Sequence, residues 1–162
     1  MSDLTTDAAG YAGGNELFAE ALGLQWPWYV ERQAFDATRR RLNLYLNFEA
    51  GGTFSCGACG TGGCKAYDTV LKRWRHLDFF HYQTFVNAPS PRVECPLCGV
   101  RQAQLSWARR RRRLTVPFEE YVVSLAREMP VRAVSRIVGE HDTRLWRIVN
   151  EFMEGDRAAP DG

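Results

Sequence analysis

"FSCGACGTGGCKAYD" (residues 54–68) and "RVECPLCGVR" (92–101) together hold all five cysteines of a 162-residue chain. Each stretch contains one pair with two residues between its members, Cys56 with Cys59 and Cys95 with Cys98. Two thiolates from one tight turn, with Gly or Pro letting the backbone wrap round the sulfurs, supply half of a tetrahedral Zn(II) site. Two such turns complete a closed four-sulfur site. The spacing therefore predicts one structural Zn(II) ion held by Cys56, Cys59, Cys95 and Cys98, with no open position for a catalytic water. Cys64 is left as the spare. A redox dithiol would sit at the start of a helix in a βαβ setting, and these cysteines lie among glycines and strand-like sequence. Five is also an odd count, which suits a disulfide framework poorly. His76, His81 and His141 read as strand or surface residues rather than ligands.

Outward from the cysteines, the flanking sequence is β-like. "RLNLYLNFE" (41–49) alternates strictly, with Leu42, Leu44, Leu46 and Phe48 on one face and Asn43, Tyr45 and Asn47 on the other. That period marks a half-buried antiparallel strand, with "WYVERQAFDA" (28–37) as its hairpin partner. "WRHLDFFHYQTFVNA" and "PRVEC" are rich in aromatic and β-branched residues, so a strand precedes each cysteine pair. Further back, "NELFAEALGL" reads as a helix capped by Asn15 and ended by Gly23, with Leu17, Phe18, Ala21 and Leu22 at helical spacing.

Beyond residue 114 the period becomes helical. In "PFEEYVVSLAREM" the apolar positions Phe118, Tyr121, Val122, Leu125, Ala126 and Met129 form one stripe. Pro130 closes that helix and opens "VRAVSRIV", which breaks at Gly139. Asp142 then caps "TRLWRIVNEFM", whose buried stripe is Leu145, Ile148, Val149 and Phe152. Three short helices, the last two joined by a tight glycine turn, match a helix-turn-helix. In that geometry the last helix presents His141, Thr143, Arg144, Arg147 and Asn150 to double-stranded DNA, where Arg reads guanine and Asn reads adenine.

Charge points the same way. The net charge is only +2, yet 19 of the 21 basic residues are arginine, whose planar fork suits phosphates and guanine edges. Arg109, Arg110, Arg111, Arg112 and Arg113 run together just before the helical part, and read as an arm lying on phosphates or in a minor groove. No catalytic constellation is visible: Glu119 and Glu120 are helix neighbours facing apart, and Asp36, Asp68 and Asp78 stand singly. The N-terminal sequence lacks a secretory signal, and no stretch is apolar enough to span a membrane. The expectation is a cytosolic, non-enzymatic protein of the α+β class. It consists of a 1–14 disordered tail, a 15–108 β-rich four-cysteine zinc-ribbon module with an N-terminal helix, a 109–114 basic linker, a 115–154 three-helix helix-turn-helix module and a 155–162 frayed end.

"CGACG", "AYD" (66–68), "KRWRHLDFFHYQTFV", "PRVECPLCGVRQ", "WAR" and "LAREMPVRAVSRIVGEHDTRLWRIV" in this order resemble the N-terminal part of bacterial insertion-sequence transposases of the ISL-three group. The resemblance covers roughly residues 15–153. It implies a zinc finger ligated by Cys56, Cys59, Cys95 and Cys98, and a helix-turn-helix that includes Arg144 and Arg147. Both would help to recognise the terminal inverted repeats of the element, in a nucleoid-associated bacterial protein. The family's DDE catalytic domain would follow this region and needs on the order of 100 further residues, so catalysis is not expected from these residues. A truncated relative could act as a repressor of transposition. Two other readings remain open. One is a protein-interaction module, forming a homodimer or joining a full-length transposase through Trp74, Phe79, Phe80 and Tyr82; the other is RNA binding through the same aromatics as stacking platforms.

Overall fold

The computed structural model describes residues 12–158; of the expected 1–14 tail, residues 1–11 lie outside them, as do 159–162, and residues 12–14 are instead the first turn of a helix. The described residues form a mixed α+β structure of six strands and four helices, divided into two compact units that meet in sequence at Thr115 and Val116.

The first unit starts with α1 (Ala12–Ala21), which packs on β1. Asn15 lies inside this helix instead of capping it, and its side-chain amide reaches the Glu31 carbonyl. The helix ends as the glycine predicts: Gly23 adopts φ +63°, and its N–H returns to the Glu20 carbonyl. The strands are β1 (Trp28–Asp36), β2 (Arg41–Phe48), β3 (Thr53–Phe54), β4 (Cys64–Phe79), β5 (Tyr82–Cys95) and β6 (Gly99–Gln102). Their order is β1-β2-β5-β4-β3, with β6 on β5.

The alternation of β2 holds, since Leu42, Leu44 and Leu46 are buried. Its pairing is only half antiparallel. β1 lies antiparallel to it, but β5 lies parallel along Arg41–Tyr45. The aromatic-rich run after Trp74 folds into a long β4–β5 hairpin that turns at Phe80 and His81. Pro89 and Pro91 fit inside β5 because β2 pairs with it only as far as Asn87 and β6 only from Arg92. The missing proline N–H groups therefore face a gap in the ladder. The Pro91 carbonyl, on that same edge, accepts from the Ala103 N–H.

The main core gathers Leu42, Leu44, Leu46, Trp74, Val86 and Trp107, joined by Leu22 from the turn just after α1. Trp107 meets Trp28 and Trp74 edge to face, at centroid distances of 4.7 and 5.8 Å. His76 hydrogen-bonds the Thr115 hydroxyl at 2.7 Å, and burial together with the Arg75 charge pulls its pKa down to about 4.

The second unit is three helices, α2 (Val116–Glu128), α3 (Val131–Val138) and α4 (Asp142–Ala158), each touching the other two. The α2 stripe is rotated from its expected position: Val123 is buried with Phe118 and Val122, whereas Tyr121 is exposed. Apolar residues at 118, 121, 122, 123, 125 and 126 offer two overlapping stripes, and packing selects between them. α3 starts after Pro130 and stops at Gly139, whose φ of 70° turns the chain as its N–H bonds the Ser135 carbonyl. Residues 155–158, expected to fray, continue α4.

Candidate metal centre and nucleic-acid interface

The two cysteine pairs are shaped alike. β3 leads into Cys56, whose N–H donates to the Thr61 carbonyl at 2.8 Å while Gly60 N–H donates to the Cys56 carbonyl at 2.8 Å. β5 ends at Cys95, which pairs across to Gly99 at the start of β6. The residue after each second cysteine is a glycine at positive φ, Gly60 at +77° and Gly99 at +74°. A side chain there would be strained, so each turn can reverse tightly enough to aim both of its sulfurs to one side.

The turns are brought together by backbone bonds. Cys56 bridges to Ala103, and Gly57 N–H donates to the Gln102 carbonyl at 2.9 Å. A Cβ on Gly57 would lie 2.5 Å from that oxygen, so only glycine allows the approach. As a result the Sγ atoms of Cys56, Cys59, Cys95 and Cys98 all lie within 4.8 Å of one another. The Cys59 and Cys95 sulfurs are 3.6 Å apart. That is far beyond the S–S bond of about 2.05 Å. It is close to the edge of about 3.8 Å that a tetrahedron with Zn–S bonds of about 2.3 Å requires. The donor set and its spacing fit a tetrahedral, thiophilic divalent ion.

The thiols also oppose one another's ionisation. The Thr61 hydroxyl and backbone N–H lower the Cys59 pKa to about 6, whereas Cys98, facing the Cys59 sulfur and partly desolvated, is pushed up to about 12. At Cys95, burial works against the thiolate, but the Leu97 and Cys98 backbone N–H groups outweigh it and the pKa is lowered. Gathering negative charge on four neighbouring sulfurs is unfavourable without a cation, and a divalent ion would lift that opposition. Cys64 begins β4, outside the four-sulfur set; its thiol points to the Thr61 carbonyl at 3.3 Å, and burial raises its pKa. None of the three histidines is in the set. Thr61 escapes sequence reading, because a threonine two residues past a cysteine carries no signal until the turn geometry places its hydroxyl.

The arginine run differs from a free linker. The Arg75 N–H donates to the Arg113 carbonyl at 2.9 Å, the Trp74 indole donates to the Arg112 carbonyl at 3.0 Å, and Thr115 N–H returns to the Arg75 carbonyl. This backbone lies beside β4 and belongs to the first unit. The β4 edge beyond its short pairing with β3 captures it, because strand-edge N–H and C=O groups seek a pair. Four side chains of the run, Arg109, Arg110, Arg111 and Arg113, are exposed.

On α4, Leu145, Ile148 and Val149 are buried and Phe152 half-buried, leaving Thr143, Arg144, Arg147 and Asn150 exposed, with exposed His141 just before the helix. Asp142 is the first residue of α4 rather than its cap: the His141 carbonyl takes the first helical bonds, from the Arg144 and Leu145 N–H groups, and the His141 ring accepts the Thr143 N–H at 3.3 Å, while the Asp142 carboxylate accepts that same N–H at 2.8 Å. Arg144 is held by Glu140 at 2.9 Å, so part of its charge is already answered. The aromatics assigned to a protein or RNA contact are mostly interior. Trp74 is 2% exposed, Phe79 and Tyr82 pack against the core, and only Phe80, 83% exposed, is open to a partner. The two β4–β5 hairpin faces alternate, and the inward one takes the tryptophan.

Residues 52–98 match the zinc-finger of transposase IS204/IS1001/IS1096/IS1165, and residues 103–153 match the helix-turn-helix domain of transposase family ISL3. Together the two matches span more than half of the chain. Both segments match domains of ISL3-family transposases. All four clustered cysteines fall within the ISL3 zinc-finger match. The chain is similar to the transposase for insertion sequence element IS1001 of Bordetella parapertussis, with 32% identity over 120 residues, covering 72% of this chain and 29% of that protein. It is similar also to the transposase for insertion sequence element IS1557 of Mycobacterium tuberculosis, strains CDC 1551 / Oshkosh and H37Rv, at 34% identity over 100 residues, covering 56% of this chain and 22% of the relative. The chain thus spans less than a third of the length of these ISL3 relatives. No solved structure matches. Among the described residues, no helix is long and apolar enough to cross a membrane.

Proposed function

We propose that residues 12–158 are a zinc-stabilised, non-catalytic DNA-binding part that recognises the terminal inverted repeats of an insertion element. In this reading Cys56, Cys59, Cys95 and Cys98 hold one structural Zn(II), and α4 with Thr143, Arg144, Arg147 and Asn150 enters the major groove as the second helix of a helix-turn-helix. The observation that supports it most is the gathering of four sulfurs within 4.8 Å, inside a segment that matches a transposase zinc-finger. The short α3, the left-handed Gly139 and the exposed polar face of α4 support the groove-reading part. The exposed arginines of 109–113 would add phosphate contacts from a fixed position, as part of the β-rich unit rather than as a mobile arm.

Two measurements on the full chain test this. Metal analysis of the reduced protein should give one zinc per chain; a folded protein without metal would remove the zinc assignment. A labelled inverted-repeat duplex should bind at least about tenfold more tightly than a scrambled duplex at the same salt, as a few base contacts worth 1–3 kcal/mol each would give. Equal affinities would leave DNA binding without end recognition.

A further inference from the structure

A second arginine run, Arg39–Arg41, lies where the β1–β2 hairpin turns, and strand pairing continues its charge across the sheet. The face opposite buried Leu42, Leu44 and Leu46 can be followed by register. On β2 it carries Arg41, Asn43 and Tyr45. Arg32 of β1 pairs with Tyr45, Phe85 of β5 with Asn43, and Asn87 with Tyr45. Arg73 and Arg75 of β4 stand opposite Asn87 and Phe85. One sheet face therefore gathers arginine from β1, β2 and β4 around two aromatic rings.

The charges are unevenly answered. Three guanidiniums surround the Phe85 ring, Arg73 at 4.9 Å, Arg41 at 5.5 Å and Arg75 at 5.7 Å from its centroid. Arg75 is buried and ion-paired to Asp78 at 2.6 Å. Arg73 bonds only neutral acceptors, the side-chain carbonyls of Asn87 at 3.0 Å and Asn43 at 3.4 Å. Those bonds orient the guanidinium, leave its charge intact and use two of its five N–H donors. Arg32 lies 3.6 Å over the Tyr45 ring. Among the described residues, no carboxylate is within ion-pair distance of Arg32, Arg41 or Arg73. The nearby acids are engaged: Asp36 holds Arg39, and Glu31 accepts from Asn47.

Like charges held together on rigid strands repel, and an external anion relieves that repulsion. The rings are already covered by guanidiniums, so they are poor stacking platforms for the bases of a single strand. What the face offers outward is fixed positive charge with N–H donors, which suits the phosphates of a duplex. We propose that this face, through Arg32, Arg41 and Arg73, holds the phosphate backbone of double-stranded DNA as a contact the β-rich unit makes in its own right. It rests on the DNA-binding reading above and adds to it a site outside α4 and outside residues 109–113.

The test is fluorescence anisotropy of the full chain on a labelled random-sequence duplex, titrated over a range of salt. Each phosphate contact contributes about 0.9 to the slope of log affinity against log salt. An Arg41→Gln, Arg73→Gln double variant should flatten that slope by roughly 2 and weaken binding about tenfold or more at low salt. The matching double Lys variant, which keeps the charge, should stay near the wild type. An Arg144→Gln, Arg147→Gln variant should retain the sheet's share of the slope. If the wild type binds duplex and the Gln pair leaves the slope unchanged, the sheet contact is wrong and the DNA reading stands. If the wild type binds no duplex at any salt, the DNA reading falls and takes the contact with it. Loss of single-stranded RNA binding alone in the Gln pair would also overturn the duplex assignment. Should the Gln pair fail to fold, Arg32→Gln asks the same question with a slope change of roughly 1, and an unchanged slope there overturns the proposal.

Discussion

Two apolar clusters in the β-rich unit are held in different ways. The cluster at Leu42, Leu44, Leu46, Trp74, Val86 and Trp107 is made of large side chains on long strands, closed by Trp107 from the segment after β6, each Leu worth roughly 1.5–3 kcal/mol when buried. The cluster at the cysteine turns has Phe54, Val93 and Ala103 with Cys56, Cys64 and Cys95, and β3 beneath it is only Thr53–Phe54. The first can close itself by burial. The second is smaller, with Trp28 and Phe48 packed against it, and a metal contributing roughly 10–16 kcal/mol would cross-link it. Two clusters within one unit would thus reach order by separate routes.

The largest expected effect follows from that contrast. Cys95→Ser should abolish metal binding and remove hydrogen-exchange protection around residues 53–65 and 92–104, while β1, β2 and the Trp107 region stay protected. Protection that survives in the turns without metal would break the comparison. On the other side, Leu44→Ala should cost about 2–5 kcal/mol in urea denaturation and leave the metal stoichiometry untouched; a variant that also lost its metal would show the two clusters to be one cooperative unit.

His76, bonded to Thr115, supplies a pH probe of the β-rich unit. Its pKa is held near 4 in the folded chain against an ordinary 6.5, so the unfolded chain takes up the proton first. The contribution to stability is complete above about 6.5 and is lost as pH falls toward about 4, to a limit of about 3 kcal/mol. Denaturation curves of His76→Gln should therefore fall less steeply across that window than those of the wild type, and parallel curves would show that His76 is not the group responsible. Gly57→Ala, whose Cβ would meet the Gln102 carbonyl at 2.5 Å, should cost about 1–3 kcal/mol and loosen metal retention under chelator competition. The smallest effect is expected at Cys64→Ala, with metal stoichiometry unchanged and about 1 kcal/mol lost; a drop in bound metal would make Cys64 part of the site.

What could be read from the chain was local. The cysteine spacing predicted which four sulfurs converge, because two residues between cysteines and a glycine after them shape a turn whatever surrounds it. Pro130 and Gly139 punctuate the helices through backbone φ, which is likewise local, whereas the cap of α4 fell to His141, one residue before the expected Asp142. Strand β2 announced its buried face by alternation. Asn15 failed as a cap because the helix finds a start at Ala12, earlier than the Asn. The aromatic run from Trp74 to Tyr82 could not reveal which rings were interior, because period-two faces become inside or outside only when the sheet acquires a covered side.

The sequence by itself therefore determined the sulfur set, the helix boundaries near Gly139 and the buried stripe of α4. Tertiary structure alone decided that β5 would lie parallel to β2, that residues 112–115 would bond to β4, and that Arg32, Arg41 and Arg73 would share one face. The physical reason is the range of the forces involved. Turn and cap preferences are settled by dihedral angles within a few residues, whereas register and exposure are settled by packing between segments that the chain itself keeps far apart.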